Sequence, residues 1–259
     1  MQVIIPMTGY GSRFVAAGYT DLKPFINVQG KPIIQWIIEG MYPHEEKIIF
    51  VVRKEHLDSI PNMEQRLKKI APTSVVFAID DWVKKGPVFD VLRASEVIDD
   101  NEPSIINYCD FYMTWDYAKF KADVEKNGCD GAIPCYTGFH PHLLIEKNYY
   151  ASCLTDKNEN LIEIREKFSF ERDKTKAKHS PGTYYFKDGA VLKKYCQALV
   201  DANETLNGEY YASLPYNYMV QDGKRVWVPT IVDKFCQWGT PEDMADYLFW
   251  TECSRRFKE

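Results

Sequence analysis

The apolar run Val3-Ile4-Ile5 leads after three residues into Gly9-Tyr10-Gly11-Ser12-Arg13, and Lys23-Pro24 follows. A buried strand that opens directly into a glycine loop leaves few folds open to a chain. Glycines let backbone N–H groups approach a phosphate closely, and an arginine with a nearby lysine neutralises it. Gly9, Gly11 and Ser12 are therefore candidate polyphosphate-binding positions, and Arg13 and Lys23 are its candidate cations. The competing reading is a plain glycine turn with Arg13 in solvent.

Downstream, strand and helix patterns alternate. Residues 31–38 read as a helix opened by Lys31-Pro32, since proline suits a first turn. Residues 47–52 form a continuous apolar run, as in a strand covered on both faces. A helix over 57–70, a strand over 74–79, a helix over 88–97, a strand over 104–108, a helix over 115–126 and a strand over 131–136 follow. This order predicts an α/β fold with a mostly parallel sheet and helices on both faces. Beyond residue 136 the pattern changes. Short alternating segments at 143–145, 149–155, 161–166 and 182–186 suggest antiparallel strands added to the sheet, and Asp156-Lys157-Asn158-Glu159-Asn160 is a turn signal. Helices over 189–202 and 210–220, a strand over 225–228 and a helix over 241–254 close the chain. With no linker or repeat, the reading is one domain, 1–259, with sub-regions 1–136 and 137–259.

Composition removes several classes. A net charge of −5 and the lack of a long basic run argue against a nucleic-acid partner. No apolar stretch reaches membrane-spanning length, and the first residues read as a strand, not a signal peptide. The seven cysteines are scattered and form no C-x-x-C pair, so they read as reduced thiols of a cytoplasmic protein. Nothing in the sequence sets an oligomeric state, and a homo-oligomer stays open.

Three phosphate loops compete at residues 9–13. A P-loop needs G-x-x-x-x-G-K-[ST], which is absent. A dinucleotide fingerprint needs a third glycine where Phe14 stands. The third is a nucleotidyltransferase loop, with Arg13 on the leaving diphosphate and Lys23 on the transferred phosphate. The segment Ile5-Pro6-Met7-Thr8-Gly9-Tyr10-Gly11-Ser12-Arg13-Phe14, together with Asp21-Leu22-Lys23-Pro24-Phe25 and Gly30-Lys31-Pro32-Ile33, resembles the sugar-nucleotidyltransferase family. It is most similar to the version found in capsule and surface-polysaccharide clusters. The resemblance implies a Rossmann-like mixed sheet, an NTP and a phosphorylated acceptor as substrates, and Mg²⁺ as cofactor. It also makes 1–136 the nucleotide-binding half and 137–259 the acceptor-binding half. Tyr10 and Ser12 depart from the common members, which carry a denser glycine run and a threonine before the arginine.

Further positions match the same family. Gly86, in Lys85-Gly86-Pro87-Val88, corresponds to the glycine that meets the base; a helix N-cap is the plain alternative. Asp110 ends a predicted strand and matches the metal-binding aspartate, at the sheet edge where ligands of open α/β folds gather. Glu166 and Lys167 resemble the pair beside the acceptor, with a surface ion pair as the alternative. Gly182 matches a close approach to the acceptor. Where two-aspartate members place the second metal ligand, this chain reads Cys236-Gln237-Trp238, and Asp233 just upstream is the candidate replacement. The basic stretch 172–179 is either a lid over an anionic acceptor or a solvated loop, and His140 and His142 read as loop histidines.

The shortened, cysteine-containing metal motif resembles cytidylyltransferases that serve small phosphorylated acceptors. On that resemblance the nucleotide is CTP, the acceptor is L-glutamine phosphate, and the product serves capsule or surface-polysaccharide modification. A sugar 1-phosphate acceptor is the substitute. A glycosyltransferase of similar fold is disfavoured, because Asp110 is followed by Phe111-Tyr112 and not by an Asp-x-Asp motif.

Overall fold

A computed structural model describes all residues except His44, Glu46, Lys258 and Glu259. Among the described residues, its centre is a seven-stranded sheet. The strands run in the order Val226–Trp227, Gly131–Ala132, Thr183–Phe186, Ser104–Asn107, Gln2–Pro6, Lys47–Arg53, Val75–Ile79. Gln2–Pro6 pairs in parallel with both neighbours, and Thr183–Phe186 is antiparallel to both of its own. The sheet is therefore mixed and mainly parallel, as the strand–helix alternation implies.

Side-chain alternation along the strands builds two cores. Val3, Ile5, Ile48, Phe50 and Val52 point to one face, where they meet Ile33, Leu67 and Phe120. Ile4, Ile49 and Val51 point to the other, where Val88, Val91, Leu192 and Met219 cover them. Burial on both faces is why these strands read as unbroken apolar runs. No helix among the described residues is long and apolar enough to cross a membrane.

Several elements differ from their sequence pattern, each for a local reason. The helix expected over 57–70 is two, Lys54–Ser59 and Met63–Ile70. Pro61 cannot donate a helical hydrogen bond, and Asn62 takes a φ of 57°. The helix expected from Lys31 starts at Ile33, because Lys31–Pro32 pairs with Asn27–Val28 across a Gln29-Gly30 turn. Both turn residues have positive φ, the requirement of a tight hairpin. Residues 143–145 are not a strand: Pro141–Leu143 forms a 3₁₀ turn and leaves Leu144 and Ile145 exposed. Ser152–Thr155, Leu161–Arg165 and Lys178–His179 form a separate antiparallel sheet, whereas Thr183–Phe186 does join the central one. One ribbon has no counterpart in the sequence reading. Phe111–Thr114 pairs with Lys234–Gln237, more than a hundred residues away.

Candidate active site

Three turns leave the carboxyl ends of parallel strands and face a common crevice. Met7 to Gly11 follows Gln2–Pro6, Trp82 to Gly86 follows Val75–Ile79, and Tyr108 to Asp110 follows Ser104–Asn107. This is where ligands of open α/β sheets bind. The crevice holds two adjoining cavities. The first, about 280 Å³, is lined by Thr8, Gly9, Gly11, Trp82, Gly86 and Asp90 among others. The second, about 270 Å³, is lined by Arg13, Lys147, Glu166, Lys167, Gly182 and Asp243 among others. Tyr108, Asp110 and Tyr211 belong to both.

Lys23 marks the junction. It begins the 3₁₀ turn Lys23–Phe25, which Pro24 helps to fix. Its Nζ donates to Asp110 Oδ2 at 2.9 Å and to the Gly239 carbonyl at 2.9 Å. Gly11, with φ 60° and ψ 26°, adopts the left-handed conformation that favours glycine. A Cβ there would stand 3.5 Å from the Lys23 Cβ, so the loop packs directly on the lysine stem.

Not every candidate occupies the expected place. Ser12 is exposed and lines neither cavity; it begins the short helix Ser12–Ala16. Arg13 lines the second cavity and not the first. Gly86 lines the first, but its φ of 95° and a missing Cβ that would meet Tyr210 N at 2.7 Å show that it also accommodates the Tyr210 backbone. Gly182 has a φ of 116°, and its missing Cβ makes room for the rings of Tyr108 and Phe111. That close approach is internal: Tyr108 N–H donates to the Gly182 carbonyl at 3.0 Å.

The second cavity is the more charged of the two. Glu166 accepts from Ser213 Oγ at 2.5 Å, and burial pushes its carboxyl up to about 7. Lys167 takes a φ of 54°, rare for a lysine, and its Nζ donates to Tyr211 Oη at 2.9 Å. Glu166 and Lys167 thus make separate bonds inside the crevice instead of a surface ion pair.

Asp233 lies apart from Asp110. It is exposed, and its N–H donates to the Thr114 carbonyl, at the far end of the ribbon from Asp110. Four residues of strand separate the two ends, about 13 Å at the usual rise. The carboxylate that faces Asp110 is Asp243. The Oδ2 atoms of both lie within 4.0 Å of the point where a Gly239 Cβ would stand. Asp243 also accepts from Thr240 Oγ1 at 2.8 Å and from Gln237 Nε2 at 2.5 Å. Among the described residues no three His, Cys, Asp or Glu side chains could hold a metal by themselves. Asp110 still fits Mg²⁺, which commonly takes one or two carboxylates and completes its shell with substrate phosphates and water.

Other candidates resolve into structure. Lys174 donates to the carbonyls of Ile145 and Glu146, and no residue of 172–179 lines either cavity. His140 and His142 pack in a ring cluster with Tyr136 and Phe235. Burial drives His142 down to about 3, so it is neutral at physiological pH. The seven cysteines are free thiols, five of them buried. The sequence pattern assigns no site role to Thr8, Tyr211 or Asp243 and does not single out Trp82 or Asp90, yet all five line the crevice. Only Asp90 left a trace, an acid on the apolar face of a helix.

A family model described as the MobA-like NTP transferase domain matches residues 3–173. The bifunctional protein GlmU of Methanococcus maripaludis is 32% identical over 116 residues, covering 42% of this chain and 28% of that protein. The chain therefore matches less than a third of the length of that curated relative. Among solved structures, a nucleoside-diphosphate-sugar pyrophosphorylase from Vibrio cholerae superposes with a TM-score of 0.77 at 18% identity, over 96% of this chain and 100% of that one. A UDP-glucose pyrophosphorylase solved with UDP-glucose gives 0.74 at 18% identity, over 98% of each chain. The fold is shared over nearly the whole length, and with two thirds of the chain matched by the family model, this protein belongs to the MobA-like NTP transferase family.

Proposed function

We propose that the protein is a Mg²⁺-dependent nucleotidyltransferase. An NTP takes the first cavity, and a small phosphorylated acceptor takes the second. The carrying observation is the Lys23–Asp110 pair, which stands where the two cavities meet. The acceptor's phosphate oxygen attacks the α-phosphorus in line, and pyrophosphate leaves. A phosphate monoester has its second pKa near 6, so it is already mostly dianionic and requires no general base. Positioning and charge neutralisation supply the catalysis.

In this reading Gly9 and Gly11, but not Ser12, offer backbone contacts to the triphosphate, and Lys23 stabilises the α-phosphate as it becomes five-coordinate. Arg13, at the second cavity, reaches the β- and γ-phosphates from the acceptor side. Asp110 holds Mg²⁺, which when bound offsets the phosphate charge. Gly86 borders the base, and Glu166, Lys167 and Gly182 border the acceptor. Asp233 as a second ligand finds no support in its position, and Asp243 is the better-placed carboxylate. Residues 1–136 then form the nucleotide half and 137–259 the acceptor half, with Glu209 and Tyr211 reaching across.

For substrates we favour CTP and L-glutamine phosphate, which makes the protein a phosphoglutamine cytidylyltransferase acting in the cytoplasm on capsule or surface-polysaccharide precursors. The support is the resemblance of its N-terminus and metal segment. A sugar 1-phosphate acceptor is the second reading, favoured by the names of the structural neighbours. The test is a pyrophosphate-release screen of four NTPs with Mg²⁺ against amino-acid amide phosphates and sugar 1-phosphates. Release with CTP and L-glutamine phosphate is expected. Release only with a sugar 1-phosphate selects the second reading, and silence with every pair removes the enzyme assignment.

A further inference from the structure

The first cavity contains a buried carboxylate that the phosphate chemistry does not use. Asp90, on the helix Pro87–Arg93, is 2% exposed and lines the cavity wall. Thr8 Oγ1 donates to its Oδ2 at 2.5 Å, and Trp82 Nε1 donates to its Oδ1 at 2.9 Å. No described Lys, Arg or His forms an ion pair with it; Arg93 acts on it only from a distance. A buried carboxylate without a paired cation is costly, and a purely structural link between Thr8 and Trp82 would not need the charge.

The surroundings hold that carboxylate still. The Trp82 ring meets Tyr10 edge-on, with centroids 5.2 Å apart. The buried Arg53 guanidinium lies 4.8 Å from the Trp82 ring and 4.1 Å from the Tyr10 ring. Trp82 is thus a fixed donor, and Tyr10, Thr8, Trp82 and Asp90 all line the same cavity. An ionised carboxylate accepts only and has about four lone-pair sites, of which the two protein donors use two. What it lacks is a donor from the ligand side.

We propose that Asp90 is a specificity residue that accepts a hydrogen bond from the exocyclic amine of the nucleotide base, and so selects CTP over UTP and dTTP. This rests on the reading that the first cavity takes the NTP. A carboxylate accepts well from the cytosine 4-amino group. Uracil and thymine place a carbonyl oxygen at that position, which would face the carboxylate oxygens with no proton between them. One hydrogen bond to a charged group discriminates by about ten- to a hundredfold.

The experiment is calorimetric binding of CTP, UTP, dTTP, ATP and GTP, with Mg²⁺ and without acceptor, to the full chain and to Asp90→Asn. The wild type is expected to bind CTP about tenfold or more tighter than UTP. Asp90→Asn keeps an acceptor for one protein donor and adds a donor that suits a carbonyl, so the CTP preference should vanish or reverse. A uniform loss across all five nucleotides would show Asp90 to be only an anchor and overturn the proposal, as would tightest binding of UTP, dTTP or a purine. If Asp90→Asn does not fold, the wild type decides with the triphosphate of pyrimidin-2-one riboside, which lacks the 4-amino group. Binding as weak as that of UTP supports the amine contact, and binding as tight as that of CTP refutes it. Failure of every nucleotide to bind removes the proposed function and this inference together. Tight nucleotide binding without discrimination removes the inference alone.

Discussion

The two cavities are built differently from neighbouring material. The first cavity, proposed for the nucleotide, is walled by turns that leave the central parallel strands, and its polar side chains are bound to one another: Thr8 and Trp82 to Asp90, Lys84 to Glu209. The second cavity, proposed for the acceptor, is lined by residues that flank the strands of the small antiparallel sheet, among them Ala151, Glu166 and Ser180, by Tyr184 and by the turn before Pro241–Arg256. It carries Arg13, Lys147, Lys167, Glu166 and Asp243 around one space. On the proposed function, the first cavity holds its ligand against a fixed frame and the second reads its ligand by charge. On the same proposal, the chemistry common to both substrates falls to Lys23 and Asp110 at the junction, and acceptor choice to the residues of the second cavity.

The largest expected effects fall on that junction. Lys23→Ala and Asp110→Ala should each reduce kcat by about 10²–10³-fold or more, the scale seen when a transition-state charge contact is removed. Both variants should keep a cooperative thermal transition. Turnover near normal in either would break the division between junction and cavities.

Lys167→Ala should separate the two cavities. Losing a phosphate contact of the acceptor is expected to raise the acceptor KM by about ten- to a hundredfold and leave NTP affinity unchanged. Equal weakening of both substrates in steady-state kinetics and calorimetry would show that the cavities are not independent.

A smaller effect should appear in stability against pH. Burial raises the Glu166 carboxyl to about 7 in the folded chain, above its unfolded value near 4.5. The folded state then binds the extra proton between those values, so this group's contribution to stability is full below about 4.5 and is lost as pH rises through about 7. Glu166→Gln should be more stable than the wild type at pH 8, by on the order of 1–3 kcal/mol, and the gap should close by pH 5. Urea titrations at both pH values check it; a gap independent of pH would mean that the carboxyl is not desolvated. Smallest of all, Asp233→Asn should change kcat and Mg²⁺ dependence by less than about twofold, as surface substitutions usually do. A large loss of Mg²⁺ affinity would restore Asp233 as a ligand.

These regions also differ in how much of them the sequence displays. Strands buried on both faces show themselves as local apolar runs, so Lys47–Arg53 and its neighbours are legible without the fold. The ribbon of Phe111–Thr114 with Lys234–Gln237 is not, because its pairing joins distant segments and each strand is only four residues long. The same nonlocality hides Asp243. Along the chain Asp233 stands nearer the motif position, but only ribbon register reveals that it points to the wrong end while Asp243 comes round to Asp110. Lys23 and Gly11 are legible because they share one local loop. Gly86 and Gly182 are legible as special backbone positions, although their neighbours are Tyr210 and Tyr108, which no local pattern announces.

The most direct test of a junction that transfers a nucleotidyl group uses the acceptor with ¹⁸O in its phosphate, incubated with CTP and Mg²⁺ and followed by mass spectrometry. In-line attack by the acceptor oxygen should place every label in the joined product and leave the pyrophosphate unlabelled, formed in equal amount. Pyrophosphate released without joined product, or label appearing in the pyrophosphate, would contradict the account.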